Sequence, residues 1–257
     1  MSDKLKTGGD EAEFAKPLYV PIKRRSFFMY AGATAGATAL LLSGCDDDDS
    51  GSGSGDPSLV NVGSGDTGVL NYAYALEQLE AAFYTQVRTG SYYTSLAPAN
   101  AERQILDDLY YHEVIHREFF KTALAGSAIK ALVPVFPANT FSSRATVLAT
   151  AKAFEDLGVA AYNGAGQYIT SPGYLYLAGK IVSVEARHAA IIRDLLGENT
   201  FVGNDVITLT SASTSSVATN NAPANSSLER ALSPTEVVAI ANTFLAEGSK
   251  LDVSNIR

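Results

Sequence analysis

Two of the three histidines in this chain sit three residues after a glutamate: His116 after Glu113 in DLYYHEVIHREFF, and His188 after Glu185 in VSVEARHAAIIRDL. On a helix a three-residue step puts both side chains on one face, about one turn apart. Glu-x-x-His is also the spacing with which a helix offers a carboxylate and an imidazole to a metal ion. Both stretches otherwise read as buried helix faces. An ionised carboxylate inside a protein costs several kcal/mol unless something compensates it, so each pair either faces water or faces a cation. A single such pair is ordinarily a solvated surface pair, and the repetition is what points to metal.

A second repeat accompanies the first. EQLEAAFY places Glu77 seven residues before Tyr84, and EDLGVAAY places Glu155 seven residues before Tyr162. Seven residues are two helical turns, which keeps both side chains on one face. Leu79 and Leu157 match as well, so the chain reads as two copies of one helical hairpin. Glu80 competes with Glu77, but its counterpart is Gly158. Glu77 is therefore preferred, and Glu80 is left as an outer or pore residue. Four carboxylates and two imidazoles meeting in a core would carry a formal charge of about −4, which two divalent cations cancel. Carboxylate and imidazole donors suit iron or manganese, and paired metals about 3.5–4 Å apart need carboxylates that reach both. Glu113 and Glu185, central in each half, are the natural bridges.

These residues must be positioned by long helices. Helical spacing of apolar residues runs from Thr67 to Leu196, interrupted only where turns belong. It predicts helices over about Thr67 to Arg88, Asn100 to Ala125, Ser142 or Ser143 to Asn163, and Ser171-Pro172 to Leu196. Ser171 followed by Pro172 is an N-cap with proline at the first helical position. In an antiparallel hairpin, residues equidistant from the turn share a height. Glu155 and Glu185 are centred on residue 170, and Glu77 and Glu113 on residue 95, so each hairpin levels one lone glutamate with one Glu-x-x-His. The connection from Gly126 to Phe141, at about 3.3 Å per residue, can span a bundle of roughly 35–40 Å. The implied class is all-α: a four-helix bundle of two antiparallel hairpins with a long crossover. No run of alternating residues argues for a sheet. Past Gly197 the chain turns polar, with a strand expected at Val206 to Thr210. A short helix then opens at Ser233-Pro234-Thr235-Glu236, a capping box.

The chain begins differently. Lys23-Arg24-Arg25-Ser26-Phe27-Phe28 precedes a short, moderately apolar run ending at Leu42-Ser43-Gly44-Cys45. This is a signal-peptide pattern, and Phe27 to Leu42 is shorter than the roughly 20 residues a spanning helix needs. The paired arginines resemble a twin-arginine export signal, and the residues up to Cys45 resemble a lipobox. The expected organisation is a signal peptide over 1–44, an acidic Gly/Ser-rich tether over 45–62, a bundle over 63–197, and a C-terminal extension over 198–257. Lipidated at Cys45, the protein would be held on the outer face of the cytoplasmic membrane. A single cysteine excludes an internal disulfide framework and cysteine-built zinc or iron-sulfur sites. A net charge of −8 argues against a nucleic-acid partner.

The four-helix pattern resembles the ferritin-like superfamily of di-iron and di-manganese carboxylate proteins. LNYAYALEQLEAAFY and AKAFEDLGVAAYNGA are similar to exported ferritin-like domain proteins of the desiccation-related type. The resemblance covers about Thr67 to Gly197. It implies Glu77 and Glu155 as terminal ligands, Glu113 and Glu185 as bridges, His116 and His188 as terminal imidazoles, and Tyr84 and Tyr162 as hydrogen-bond donors to ligand carboxylates. Two divalent ions are expected, iron ahead of manganese, with dioxygen or peroxide as the reacting partner in ferroxidase or peroxidase chemistry. A di-manganese catalase and a non-enzymatic metal-binding stress protein are the competing readings. A tether and a long tail disfavour a closed cage and leave room for a homodimer. His112, about 100° around the helix from Glu113, is expected to make a structural hydrogen bond away from the site.

Overall fold

The computed structural model describes residues 58–197, 205–206 and 228–257. The leader over 1–44 and the tether as far as residue 57 lie outside the described residues. So does the strand expected at 206–210, except for Val206, which sits in a turn.

Four long helices build the bundle: α1 (Gly65–Val87), α3 (Ala101–Leu124), α4 (Arg144–Ala165) and α5 (Pro172–Leu196). A five-residue helix, α2 (Ser91–Ser95), lies in the first hairpin turn, and α6 (Pro234–Ala241) in the extension. Helix starts follow local chemistry. The Asn100 side chain accepts from the amides of Glu102 and Arg103, and Ser143 and Thr146 form a reciprocal capping box. Ser171 caps α5 with Pro172 in its first turn, and Ser233 and Glu236 form the capping box of α6. Among the described residues no helix is long and apolar enough to cross a membrane.

Helix α1 packs along α3, and α4 along α5, with lighter contact between the two hairpins. A helix apolar on all sides is one covered on all sides. Helix α1 is covered in this way, buried almost continuously from Val69 to Phe83, although it also carries the polar Asn71, Glu77, Gln78 and Glu80. The Asp66 carboxylate in its first turn accepts from the amides of Thr170 (2.7 Å) and Ser171 (2.9 Å), which ties the second hairpin's turn to the start of the first. The crossover from α3 to α4 is anchored on α1 by side chains that satisfy its backbone. Asn71 accepts from the Ile129 amide and donates to the Ser127 carbonyl, while Gln78 accepts from the Leu132 amide.

Two features depart from the sequence reading. Helix α2 falls where a plain loop was expected; five residues are too few to carry a period. A two-residue parallel pair, β1 (Val60–Asn61) with β2 (Leu251–Asp252), joins the segment before α1 to the end of the chain. Pairs that short leave no alternation to read. The extension is also built into the core. Leu232, Val237, Val238, Leu245 and Leu251 bury with the main cluster, and the Leu232 amide donates to the Ala160 carbonyl at 2.9 Å. Gly164 permits that approach, since a Cβ there would fall 1.7 Å from the Leu232 carbonyl oxygen.

Candidate metal centre

Helices α1 and α4 each deliver one glutamate to the middle of the bundle, and α3 and α5 each deliver a Glu-x-x-His. Glu77, Glu113, Glu155 and Glu185 are all 0 % exposed, and His116 and His188 are 6 % exposed. The structure brings these six side chains together as two overlapping sets. One is Glu77, Glu113, His116 and Glu185; the other is Glu113, Glu155, Glu185 and His188. Glu113 and Glu185 belong to both.

The atoms sort without overlap. His116 Nδ1 lies 2.9 Å from Glu185 Oε1, 3.4 Å from Glu77 Oε2 and 3.6 Å from Glu113 Oε2. His188 Nδ1 lies 2.7 Å from Glu113 Oε1, 3.4 Å from Glu155 Oε2 and 3.8 Å from Glu185 Oε2. Each central glutamate therefore gives one oxygen to each set. Every set holds one imidazole nitrogen and three carboxylate oxygens.

None of these donor atoms makes a hydrogen bond, despite being buried. The short distances between nitrogen and oxygen lack the alignment of an N–H pointing at an acceptor. Buried polar atoms without partners are rare, and here they surround two common centres. The arrangement fits cations, which accept lone pairs from all sides, and the cluster could hold metal ions. One nitrogen with three oxygens is a donor set suited to iron or manganese.

The outer oxygens are occupied. Tyr84 donates its hydroxyl to Glu155 Oε1 at 2.5 Å, and Tyr162 donates to Glu77 Oε1 at 2.5 Å. Each tyrosine thus serves the glutamate of the other hairpin, so the bonds that orient the carboxylates also lace the two halves together. Burial raises both phenols well above their ordinary range, and the neighbouring carboxylates add to it. Both tyrosines remain donors at neutral pH.

Without a cation, the cluster compensates itself with protons. Burial pushes Glu77 up to about 7 and Glu155 and Glu185 upward as well. Burial alone would also push up Glu113, but the imidazoles of His116 and His188 outweigh it and hold that carboxyl down to about 2. Burial opposes charge on both imidazoles. The surrounding carboxylates prevail, raising His188 to about 11 and His116 further still. Metal binding must displace these protons.

Two residues outside the six belong to the neighbourhood. Glu80, one turn beyond Glu77, is 4 % exposed, and burial plus the charges of Glu185 and Glu113 raise its carboxyl well above the usual range. Gly158 makes room for it: a Cβ at 158 would stand 3.0 Å from Glu80 Oε1 and 3.6 Å from Glu185 Oε2. The second is His112, whose Nδ1 lies 3.0 Å from His188 Nε2. Its ring centroid is 4.8 Å from that of His116 and 4.9 Å from that of His188. The expected hydrogen bond of His112 exists, but it is made to an imidazole of the cluster rather than away from it. The available signal was the four-residue step from His112 to His116, which places both on one face.

A four-helix bundle with Glu and Glu-x-x-His on alternate helices defines a carboxylate-bridged class of helical protein. Residues 65–198, just over half of the chain, match the family described as ferritin-like domain, and the chain belongs to that family. No curated protein matches the chain.

Proposed function

We propose that this is an exported, membrane-tethered di-metal carboxylate protein that binds two divalent ions, iron ahead of manganese, and reacts with dioxygen or peroxide in stress protection. One observation carries the reading: eight buried donor atoms without hydrogen bonds, divided into two sets of one nitrogen and three oxygens. Two ferrous ions there would supply one electron each, so that dioxygen and two protons leave as hydrogen peroxide, or hydrogen peroxide and two protons leave as two waters.

The chain's own residues prepare the site in four ways. Tyr84 and Tyr162 fix the outer oxygens of Glu155 and Glu77, leaving the inner oxygens free to bind. Glu113 and Glu185 span both sets. His112 Nδ1 stands 3.0 Å from His188 Nε2, and a proton held between them on His188 Nε2 would leave the His188 Nδ1 lone pair facing the centre. Burial and the charges of Glu185 and Glu113 favour the protonated form of Glu80. Carboxylates that take up and release protons in this way suit a reaction that consumes two of them.

A reaction test separates the oxidants. Protein loaded anaerobically with ferrous iron is exposed to dioxygen or to peroxide, and formation of the ferric product is followed by absorbance. Faster oxidation than with iron alone supports the reading. Manganese-loaded protein that evolves dioxygen from peroxide would replace it with a catalase. Tight metal binding without turnover would leave a structural cluster that cross-links the bundle. The leader implies lipidation at Cys45 and an outward-facing location, checked by globomycin-sensitive processing and surface accessibility.

A further inference from the structure

The pseudo-twofold repeat that equates α1 with α4 and α3 with α5 also equates the two ends of the bundle. At one end the layer next to the cluster is filled. Phe83, Phe154, Leu106 and Val87 are all at most 2 % exposed, with Leu195 packed against them. At the other end the equivalent positions are Ala161, Leu76, Ala178, Ala165 and Ala123. Each is smaller than its counterpart. Phe119 and Phe120 replace Ile191 and Ile192, and these larger rings do not make up the difference. A cavity of about 40 Å³ remains, lined by these residues and bounded only by apolar surface.

Its position relates it to the cluster. Ala73 and Ile181 precede Glu77 and Glu185 by one turn, and Phe120 follows His116 by one turn; all three line the cavity. Tyr162 is a shared wall: its ring faces the cavity, and its hydroxyl bonds to Glu77. At the outer rim, Phe119, Leu177 and Ala178 are half-buried and Ala123 is exposed. The cavity therefore lies between the protein surface and the donor atoms.

We propose that this cavity is a binding site for dioxygen, holding the gas against the cluster's Tyr162 wall; the proposal rests on the oxidative reading above and selects its oxidant. Water gains nothing in a cavity without polar partners, and a wholly apolar cavity stays dry while accepting apolar guests. A volume of about 40 Å³ exceeds the roughly 10–15 Å³ that one water-sized probe needs and is well below the roughly 150 Å³ that holds benzene. It suits a diatomic gas better than a ring or an acyl chain. Peroxide, which donates and accepts hydrogen bonds, would lose them there. The device is asymmetric, since the repeat-related layer is closed by Phe83 and by the rings of Phe136, Phe141 and Phe154 around it at 5.2–5.9 Å.

Xenon tests the site without any metal chemistry. Crystals of the metal-free protein are pressurised with xenon, beside the variants Ala165→Val and Ala178→Leu, which copy the residues of the filled end. Xenon density between Phe120, Tyr162 and Ile181, lost or reduced in the variants, is expected. In iron-loaded protein the same variants should slow oxidation by dioxygen several-fold while leaving oxidation by peroxide unchanged, at unaltered metal content. Ala178 lies at the half-buried rim, so Ala178→Leu keeps the test available if Ala165→Val fails to fold. Absence of xenon, or equal dioxygen rates in the filled variants, would overturn the proposal. Xenon binding in a protein whose loaded cluster ignores dioxygen would support the gas site and defeat the functional reading instead.

Discussion

The filled end and the hollow end of the bundle flank the same cluster of glutamates and histidines, related by one internal repeat, yet they are packed differently. At the filled end Phe83 meets Tyr84, Phe136, Phe141 and Phe154, and Phe154 meets Phe244 of the extension. The crossover and the chain's last segment both close over that layer. At the hollow end Ala161 stands where Phe83 would be, and part of the lining, Ala73, Phe120 and Ile181, packs in a separate smaller cluster with Tyr74 and Leu124. A duplicated hairpin can keep its chemistry symmetric while dividing stability and access between its two ends. The glutamates and histidines of the cluster match across the repeat, whereas the layers beside them do not.

The largest effect should come from Phe83→Ala, which removes a fully buried ring from the centre of the aromatic group. A loss of about 3–5 kcal/mol is expected, measured by chemical denaturation. A loss under about 1 kcal/mol would mean that the filled end does not carry the fold.

The two tyrosines sharpen the comparison at the site. Tyr84→Phe, in the sealed layer, leaves a carboxylate oxygen of Glu155 buried without a donor and should weaken metal binding by about 10–100-fold. Tyr162→Phe, whose bond to Glu77 is only partly buried, should cost less. Competitive titration with a chelating dye would compare them, and equal losses would break the distinction.

Protonation gives a third test, on metal-free protein. Glu77 is raised to about 7 by burial, so the folded state holds a proton that the unfolded chain releases near 4.5. His188, raised to about 11, likewise keeps its proton when folded above the ordinary histidine range. In both cases the native state binds more protons, and stability falls as pH rises. For Glu77 the fall lies between about 4.5 and 7, and for His188 between about 6.5 and 11. Glu113 has the opposite sign, but its window lies below about 4.5. Thermal melts of the metal-free protein should therefore drop from pH 5 to pH 8, and metal should abolish the drop. A metal-free melting temperature that rises over that range would contradict the electrostatics described.

The smallest effect is a reciprocal exchange. Val87→Ala at the filled end should cost about 2 kcal/mol, while Ala165→Val at the equivalent hollow position should be neutral or stabilising by up to about 1 kcal/mol. Destabilisation by both would show that the two ends are equally packed.

Much of this was legible in the sequence because the relevant signals are local. Ser143, Ser171 and Ser233 announce helix starts through their own hydroxyls, and α5 runs from Pro172 to Leu196 where its caps place it. The duplicated spacings alone place Glu77, Glu113, His116, Glu155, Glu185 and His188 in one group. What stayed hidden depends on contacts between distant segments. The crossed bonds from Tyr84 to Glu155 and from Tyr162 to Glu77 join opposite hairpins, and each spacing alone suggests only a shared face. The parallel pair of Val60–Asn61 with Leu251–Asp252 joins the two ends of the described fold in two residues. The angle of His112 to Glu113 points it away from the site, but its four-residue step to His116 decides where the ring goes. The cavity is a matter of volumes, visible only once Ala161 and Ala178 are compared with Phe83 and Leu106 across the repeat.

The central claim is that the unpartnered donors exist to hold two cations. It is tested most directly by metal content per chain, measured by elemental mass spectrometry on protein from residue 46 onward, beside a Glu113→Ala, Glu185→Ala double variant. About two iron or manganese ions per chain, lost in the variant, is the result expected from two sets bridged by the same pair of glutamates. A wild-type protein that remains empty after anaerobic reconstitution with either metal would contradict it and leave a proton-sharing polar core in its place.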